Sequence, residues 1–198
     1  MTASHLRPKE VARAPSLLNV MLIELRCMLR TLVMLAAGKI EMPGRERGRT
    51  ITFSDGSSSR IYRETTLIAG RSVDPVLLVV RFRLRLIGTN RLAHALFRFE
   101  SLFNTVLFAA HRGFRTKLWL TDLTTGFYRG VYEWDGLDSA TEYAEVLRVV
   151  LRPWVEKDSF AYRFLERFDR DSYLDGQVDG VAENESAMLW WLPVPSSR

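Results

Sequence analysis

From 76 to 87 every even position is apolar (Val76, Leu78, Val80, Phe82, Leu84, Leu86), whereas Arg81, Arg83 and Arg85 occupy odd ones. A period of two is the mark of a strand with one face in a core, so a helix is excluded here. The strand opens at Asp74-Pro75 and breaks at Gly88-Thr89-Asn90. Beyond the break, Leu92, Leu96, Phe99, Phe103, Val106 and Ala110 recur at helical spacing over 91–111, and Gly113 stops that helix. Strands follow at 115–121 and 127–134, joined across 122–126. Ser139 and Glu142 have the spacing of a capping box at the head of a second helix, which carries Tyr143, Val146, Leu147 and Val150 as far as Pro153. A last strand at 159–165 closes a strand–helix–strand–strand–helix–strand unit. Two split βαβ halves sharing one sheet make an α+β fold. Its two helices cover one sheet face, and nothing within the unit covers the other, which therefore calls for a partner or a ligand.

The flanks divide into three parts. Residues 1–15 are polar and punctuated by proline, and read as a mobile leader. The stretch 16–72 holds a helix and a hairpin that flank the core unit, which spans 73–168. Ser16 is a suitable N-cap, the apolar run 17–37 is the helix, and Gly38 suits its C-cap. Glu24, Arg26 and Arg30 in mid-run would be expensive in lipid, so a packed helix is expected, with an interfacial anchor through 17–37 as the alternative. Asn19, Arg26 and Arg30 share one side of the wheel and leave a broad apolar face. The hairpin runs 51–53, turns through Ser54-Asp55-Gly56-Ser57 and returns over 60–66. The extension 169–198 ends on Trp190-Trp191, too apolar for water, and is expected to dock as a final strand on this subunit or a partner, or to act as a lid.

Composition narrows the function. A chain of 198 residues with 47% hydrophobic content buries a proper core. The single cysteine, Cys27, sits in an apolar segment, which rules out an internal disulfide, suits a cytoplasmic location and reads as a buried small hydrophobe. A net charge of +5 spread among acids, with no lysine-rich tail, finger or helix-turn-helix, argues against nucleic acid and suits an acidic small molecule. No histidine pair has metal-ligand spacing, no glycine-rich phosphate loop occurs and no serine stands in an elbow, so no metal, nucleotide cofactor or acyl-enzyme is expected.

Alternation then nominates a site. If the even face of the first strand meets the helices, Arg81 and Arg83 turn to the other face. Arg115, Lys117 and Trp119 fall together on the second strand. On the third strand Tyr128, Tyr132 and Trp134 share one side, and Arg129, Val131 and Glu133 the other. Which of these two sets joins the arginines is open on pattern alone. Arg81, Arg129, Tyr132 and His111 are the candidate catalytic residues: the arginines polarise a carbonyl, the tyrosine donates, and His111 exchanges protons from the end of its helix. Arg83, Lys117, Trp119, Tyr128 and Trp134 are the candidate substrate-binding residues, pairing cations with rings that clamp a flat apolar body. The structural alternative is that the strand arginines form cross-strand ion pairs with Glu133 or Glu166.

The run Phe114-Arg115-Thr116-Lys117-Leu118-Trp119-Leu120, followed by Tyr128-Arg129-Gly130-Val131-Tyr132-Glu133-Trp134 and the helix from Ser139, resembles the mono-oxygenases of the dimeric α/β-barrel superfamily, the group that includes antibiotic-biosynthesis mono-oxygenases. The resemblance covers about the middle half of the chain. It implies a ferredoxin-like unit, a homodimer formed by two sheets packed face to face, and an apolar cavity beside the sheet. Members oxygenate without a cofactor, degrade haem, dismutate or cyclise, and some only bind. The asparagine, tryptophan and histidine combinations of the oxygenases have no clean counterpart in this chain. The expectation is therefore a metal-free, cofactor-independent enzyme of secondary metabolism that cyclises or oxygenates a hydrophobic polyketide-like molecule. The alternative is a non-catalytic haem or lipid carrier, or a homodimeric interaction module.

Overall fold

The computed structural model describes residues 17–69, 72–85, 105, 108–122, 124–178 and 189–195. In chain order the elements are helix α1 (Leu17–Ala36), strands β1 (Ile40–Glu41), β2 (Thr50–Thr52), β3 (Ser58–Leu67), β4 (Pro75–Arg83), β5 (Phe114–Thr121) and β6 (Phe127–Asp135), helix α2 (Leu137–Leu151), strand β7 (Ala161–Glu166) and the short helix α3 (Arg170–Leu174). The strands form one sheet in the order β1-β3-β5-β6-β4-β7, with β2 also paired to β3. All neighbours are antiparallel. The four strands β7-β4-β6-β5 stand in the fourth-first-third-second order of a split βαβ unit, so the fold is α+β and ferredoxin-like. The hairpin does more than flank this unit: β3 lies along β5 and extends the sheet.

Helix α1 ends on Gly38, at φ +65°, whose N–H donates to the Leu35 carbonyl (3.0 Å) while that of Lys39 donates to Met34 (2.9 Å). This pair of bonds is the Schellman closure that glycine makes easy. Among the described residues no helix is long and apolar enough to cross a membrane. Helix α2 begins two residues before the expected point, with Gly136 at its N-cap and no side-chain cap, so the Ser139 and Glu142 spacing is not a capping box. Strand β4 stops at Arg83, short of residue 87. The leader 1–15 and most of the helix expected over 91–111 lie outside the described residues.

The sheet is covered on both faces. Val76, Leu78 and Val80 of β4 pack with Phe114, Trp134 and, from α2, Ala140, Tyr143 and Ala144. On the opposite face Leu77, Val79, Leu118, Leu120 and Val131 lie under Ile51, Phe53, Tyr173, Trp190 and Trp191. The expectation that this second face awaits a partner or a ligand is therefore corrected: the chain's own hairpin turn and C-terminal extension close it. Leu77 and Val79 supply the reason, since each fully buried aliphatic side chain contributes about 1.5–3 kcal/mol. The tail docks as a turn with one bridge, Phe53 to Pro193, and not as a strand. Backbone bonds from Ser54 N–H to the Leu192 carbonyl (2.9 Å) and from Val194 N–H to Thr52 (2.8 Å), with Tyr173 Oη donating to the Trp191 carbonyl (2.5 Å), hold it down.

Candidate functional site

Two local irregularities decide what each face presents. The β3–β5 pairing slips between Ile61 and Arg63, so Tyr62 and Arg63 both turn toward the helices although Ile61 faces the tail. The β5–β6 pairing slips between Phe114 and Thr116, which takes Arg115 out of the Lys117–Trp119 row. Arg115 instead pairs with Asp135 at 2.7 Å.

On the helix side Lys117 is 4% exposed, and its ammonium nitrogen lies 3.0 Å from the centroid of Trp119, 4.2 Å from that of Phe108 and 4.5 Å from that of Tyr132. The Arg63 guanidinium carbon is 3.9 Å from the Trp119 centroid, and the indole N–H of Trp119 donates to Thr65 Oγ1 at 3.4 Å. No carboxylate among the described residues lies within ion-pair distance of Lys117. Ring faces attract a desolvated cation by about 2 kcal/mol or somewhat more, well short of what water gives an ammonium. Burial, reinforced by the charge of Arg63, accordingly pulls the Lys117 pKa well below its ordinary value. Burial also lowers Arg63, to about 10, which leaves it charged at neutral pH.

Tyr132 and Tyr143 complete the aromatic layer, their rings 5.3 Å apart, and burial raises the pKa of both phenols. Trp134 stacks obliquely on Tyr143 at 4.8 Å, and His111 meets Tyr143 edge-on at 5.3 Å. Burial alone would lower the His111 pKa, but Cys27 and Glu24 of α1 raise it to about 9. The His111–Glu24 pair stands at ion-pair distance, 3.4 Å, without hydrogen-bond alignment.

The nine expected site residues thus divide across the sheet. Lys117, Trp119 and Tyr132 come together, with Trp134 and His111 joined to them through Tyr143. Tyr128 shares the helix side but stacks on Phe82 in a separate cluster with Leu84 and Val155. Arg81, Arg83 and Arg129 lie on the opposite face, and Arg81 and Arg129 act on its cover. Arg129 donates to Ser59 (2.5 Å) and Ser57 (2.6 Å) and lies over Phe53. Arg81 pairs with Asp55 at 3.5 Å beneath Trp190, and Arg83 with Glu156 at 3.3 Å. Of the two β6 sets left open by pattern, Arg129, Val131 and Glu133 share the face of Arg81, which separates the arginines from the β6 aromatics. Arg63 and Phe108 were not among the expected residues. Strict alternation from Ile61 sends Arg63 to the tail side, and only the bulge reverses it.

An open cleft of about 550 Å³ lies at one end of the tail-side face, lined by Thr66, Ser72, Arg115, Glu133 and Arg170 among others and by none of the nine. Its charges satisfy one another. Arg170 bonds the buried Glu64, its backbone N–H donates to Glu133 at 3.0 Å, and burial raises the Glu133 pKa.

No protein-family model and no curated protein matches this sequence. Among solved structures the chain is similar to an uncharacterised ferredoxin-fold protein related to antibiotic-biosynthesis mono-oxygenases from Listeria monocytogenes 4b F2365, at 11% identity over 71% of this chain and 89% of that one, TM-score 0.38. It is similar also to a haem-degrading enzyme from Listeria monocytogenes, at 12% identity over 71% and 94% of the two chains, TM-score 0.39. A third is a mono-oxygenase-like protein from Listeria innocua, at 13% identity over 72% and 87%, TM-score 0.37. At such identities no residue role and no reaction passes from those proteins to this one.

Proposed function

We propose that this protein is a cofactor-independent enzyme that binds a hydrophobic, polyketide-like carbonyl compound on the helix side of its sheet and uses Lys117 as the base. The observation that carries this reading is the buried amine of Lys117 among three aromatic rings, with no carboxylate beside it among the described residues. Only four of the 28 basic residues are lysines, and an arginine at this position would stay protonated. With its pKa pulled well below the ordinary lysine value by burial, the unprotonated amine takes a proton from a carbon next to a ketone, and the resulting enolate forms beside Arg63 and the still-protonated phenol of Tyr132. The enolate carbon then attacks a second carbonyl of the same molecule. One carbon–carbon bond forms, the new alkoxide takes the proton back from the Lys117 ammonium, and the amine is regenerated. This cyclisation consumes neither oxygen nor a cofactor. The rings of Trp119, Phe108 and Tyr132 align the flat chain of the substrate.

Haem does not fit this site through its imidazole. His111 is the histidine among the described residues, and Glu24 and Cys27 hold it protonated, without a lone pair for iron. His5 and His94 lie outside the described residues.

An aryl 1,3-diketone tests the proposal directly, because it condenses with an unprotonated amine, losing water, to a stable vinylogous amide with strong near-ultraviolet absorbance. The expected result at pH 7 is one adduct per chain, mapped to Lys117 by peptide mass spectrometry and absent from Lys117→Arg. Adducts confined to Lys9, Lys39 and Lys157 would overturn the assignment.

A further inference from the structure

Helix α1 is built inside out for a helix that meets only its own domain. Val20, Cys27 and Thr31 are buried against the protein, while Leu18 (67% exposed), Met21 (69%), Leu22, Leu25, Leu29, Leu32 and Val33 (69%) face outward. At 100° per residue these seven fall in a continuous apolar arc about 120° wide. Arg26 and Arg30, both exposed, lie along one border of the arc, where their aliphatic stems run beside it and their guanidinium groups reach past it. The net positive charge of the chain falls in the N-terminal quarter of the sequence, which includes α1. Residues 1–49 hold nine Lys and Arg against four Asp and Glu, the whole of the net charge of +5, so the other three-quarters of the chain is neutral.

We infer that the outer face of α1 is a docking surface for an anionic lipid bilayer, with α1 lying in the interface plane. An apolar stripe bordered by cations matches acyl chains beneath negatively charged headgroups, and both attractions act together there. A second copy of this chain fits less well, since two apposed α1 seams would bring their arginines and their shared positive charge together with no acidic residue on the border to offset them. Glu24 does not oppose docking, because it faces inward to His111.

Flotation of the purified full-length chain with phosphatidylcholine vesicles, and with vesicles containing phosphatidylglycerol, tests this. The expected result is co-flotation with the phosphatidylglycerol vesicles alone, weakened by salt. Arg26→Gln and Arg30→Gln each lower the partition coefficient about fivefold, and Leu25→Ser with Leu29→Ser abolishes binding without lowering the melting temperature, since both side chains are half exposed or more. Absence of flotation with either vesicle overturns the inference. So does equal flotation of the serine variant, or a dimer in solution that this variant converts to monomer.

Discussion

The two faces of one sheet treat their cations in opposite ways. On the tail side Arg81, Arg83, Arg129 and Arg170 each meet a carboxylate or a pair of hydroxyls, and all but Arg83, whose partner Glu156 lies between α2 and β7, tie the sheet to its cover. On the helix side the Lys117 nitrogen meets aromatic rings. A paired guanidinium is a fastener whose protonation never changes, whereas a buried amine without a carboxylate gives up its proton more readily than an ordinary lysine. Charge count alone does not separate structure from chemistry in this molecule; the partners of each charge do.

The sharpest way to break the contrast is Lys117→Met. It should abolish the diketone adduct at position 117, because the amine that condenses is gone, while leaving the melting temperature unchanged or higher. The pH dependence has a definite sign. With the folded pKa below 10.5, the native state sheds the proton first. The wild type therefore gains stability relative to Lys117→Met as pH rises from the folded pKa toward 10.5, and holds that gain above it. Chemical denaturation across pH 6–10 checks this, and a difference that does not vary with pH would show the amine to be an ordinary charged lysine.

His111 supplies the opposite slope on the same side of the sheet. Its folded pKa of about 9 lies above the ordinary 6.5, so its contribution is complete below pH 6.5 and is lost as pH rises through 9. Up to about 3 kcal/mol is at stake over that window, an upper figure because the pair with Glu24 is poorly aligned for hydrogen bonding. His111→Gln should remove the decline, leaving the Lys117 slope alone.

On the opposite face, Arg129→Met removes two charged hydrogen bonds to the hairpin and should cost about 2–3 kcal/mol in urea denaturation, with the diketone adduct at Lys117 forming at the wild-type rate. If that rate falls instead, the two faces are not independent. Arg129 was also where pattern reading left the facing open. The alternation of β4 was plain in the sequence, because Val76, Leu78, Val80 and Phe82 are all apolar at its even positions. The facing of β6 was not, since both of its alternating sets carry residues suited to either side, Tyr132 and Trp134 on one, Val131 with Arg129 on the other. Leu77 and Val79, apolar at odd positions, were the available sign that the arginine face would also be covered. The bulges before Arg63 and Thr116 leave no trace in hydrophobic pattern, yet a slip of one residue exchanges faces for everything beyond it. The cage around Lys117 depends on that slip for Arg63.

Gly130 offers the smallest and most local test. It lies opposite Trp119 in the register, and a Cβ placed there would stand 2.5 Å from Cε2 of Tyr132, so the ring of Tyr132 rests on the glycine itself. Gly130→Ala must push that ring off the strand, at a cost of about 1–3 kcal/mol for overpacking. Because the same ring forms one wall around the Lys117 nitrogen, the variant should also alter the adduct rate, which a loss of stability alone would not do in protein that remains folded. Gly44→Ala is the control, since nothing lies within 4 Å of its added methyl. If the two alanine variants melt alike, Tyr132 does not lie flat on β6, and the wall it lends to the lysine cage belongs to another side chain.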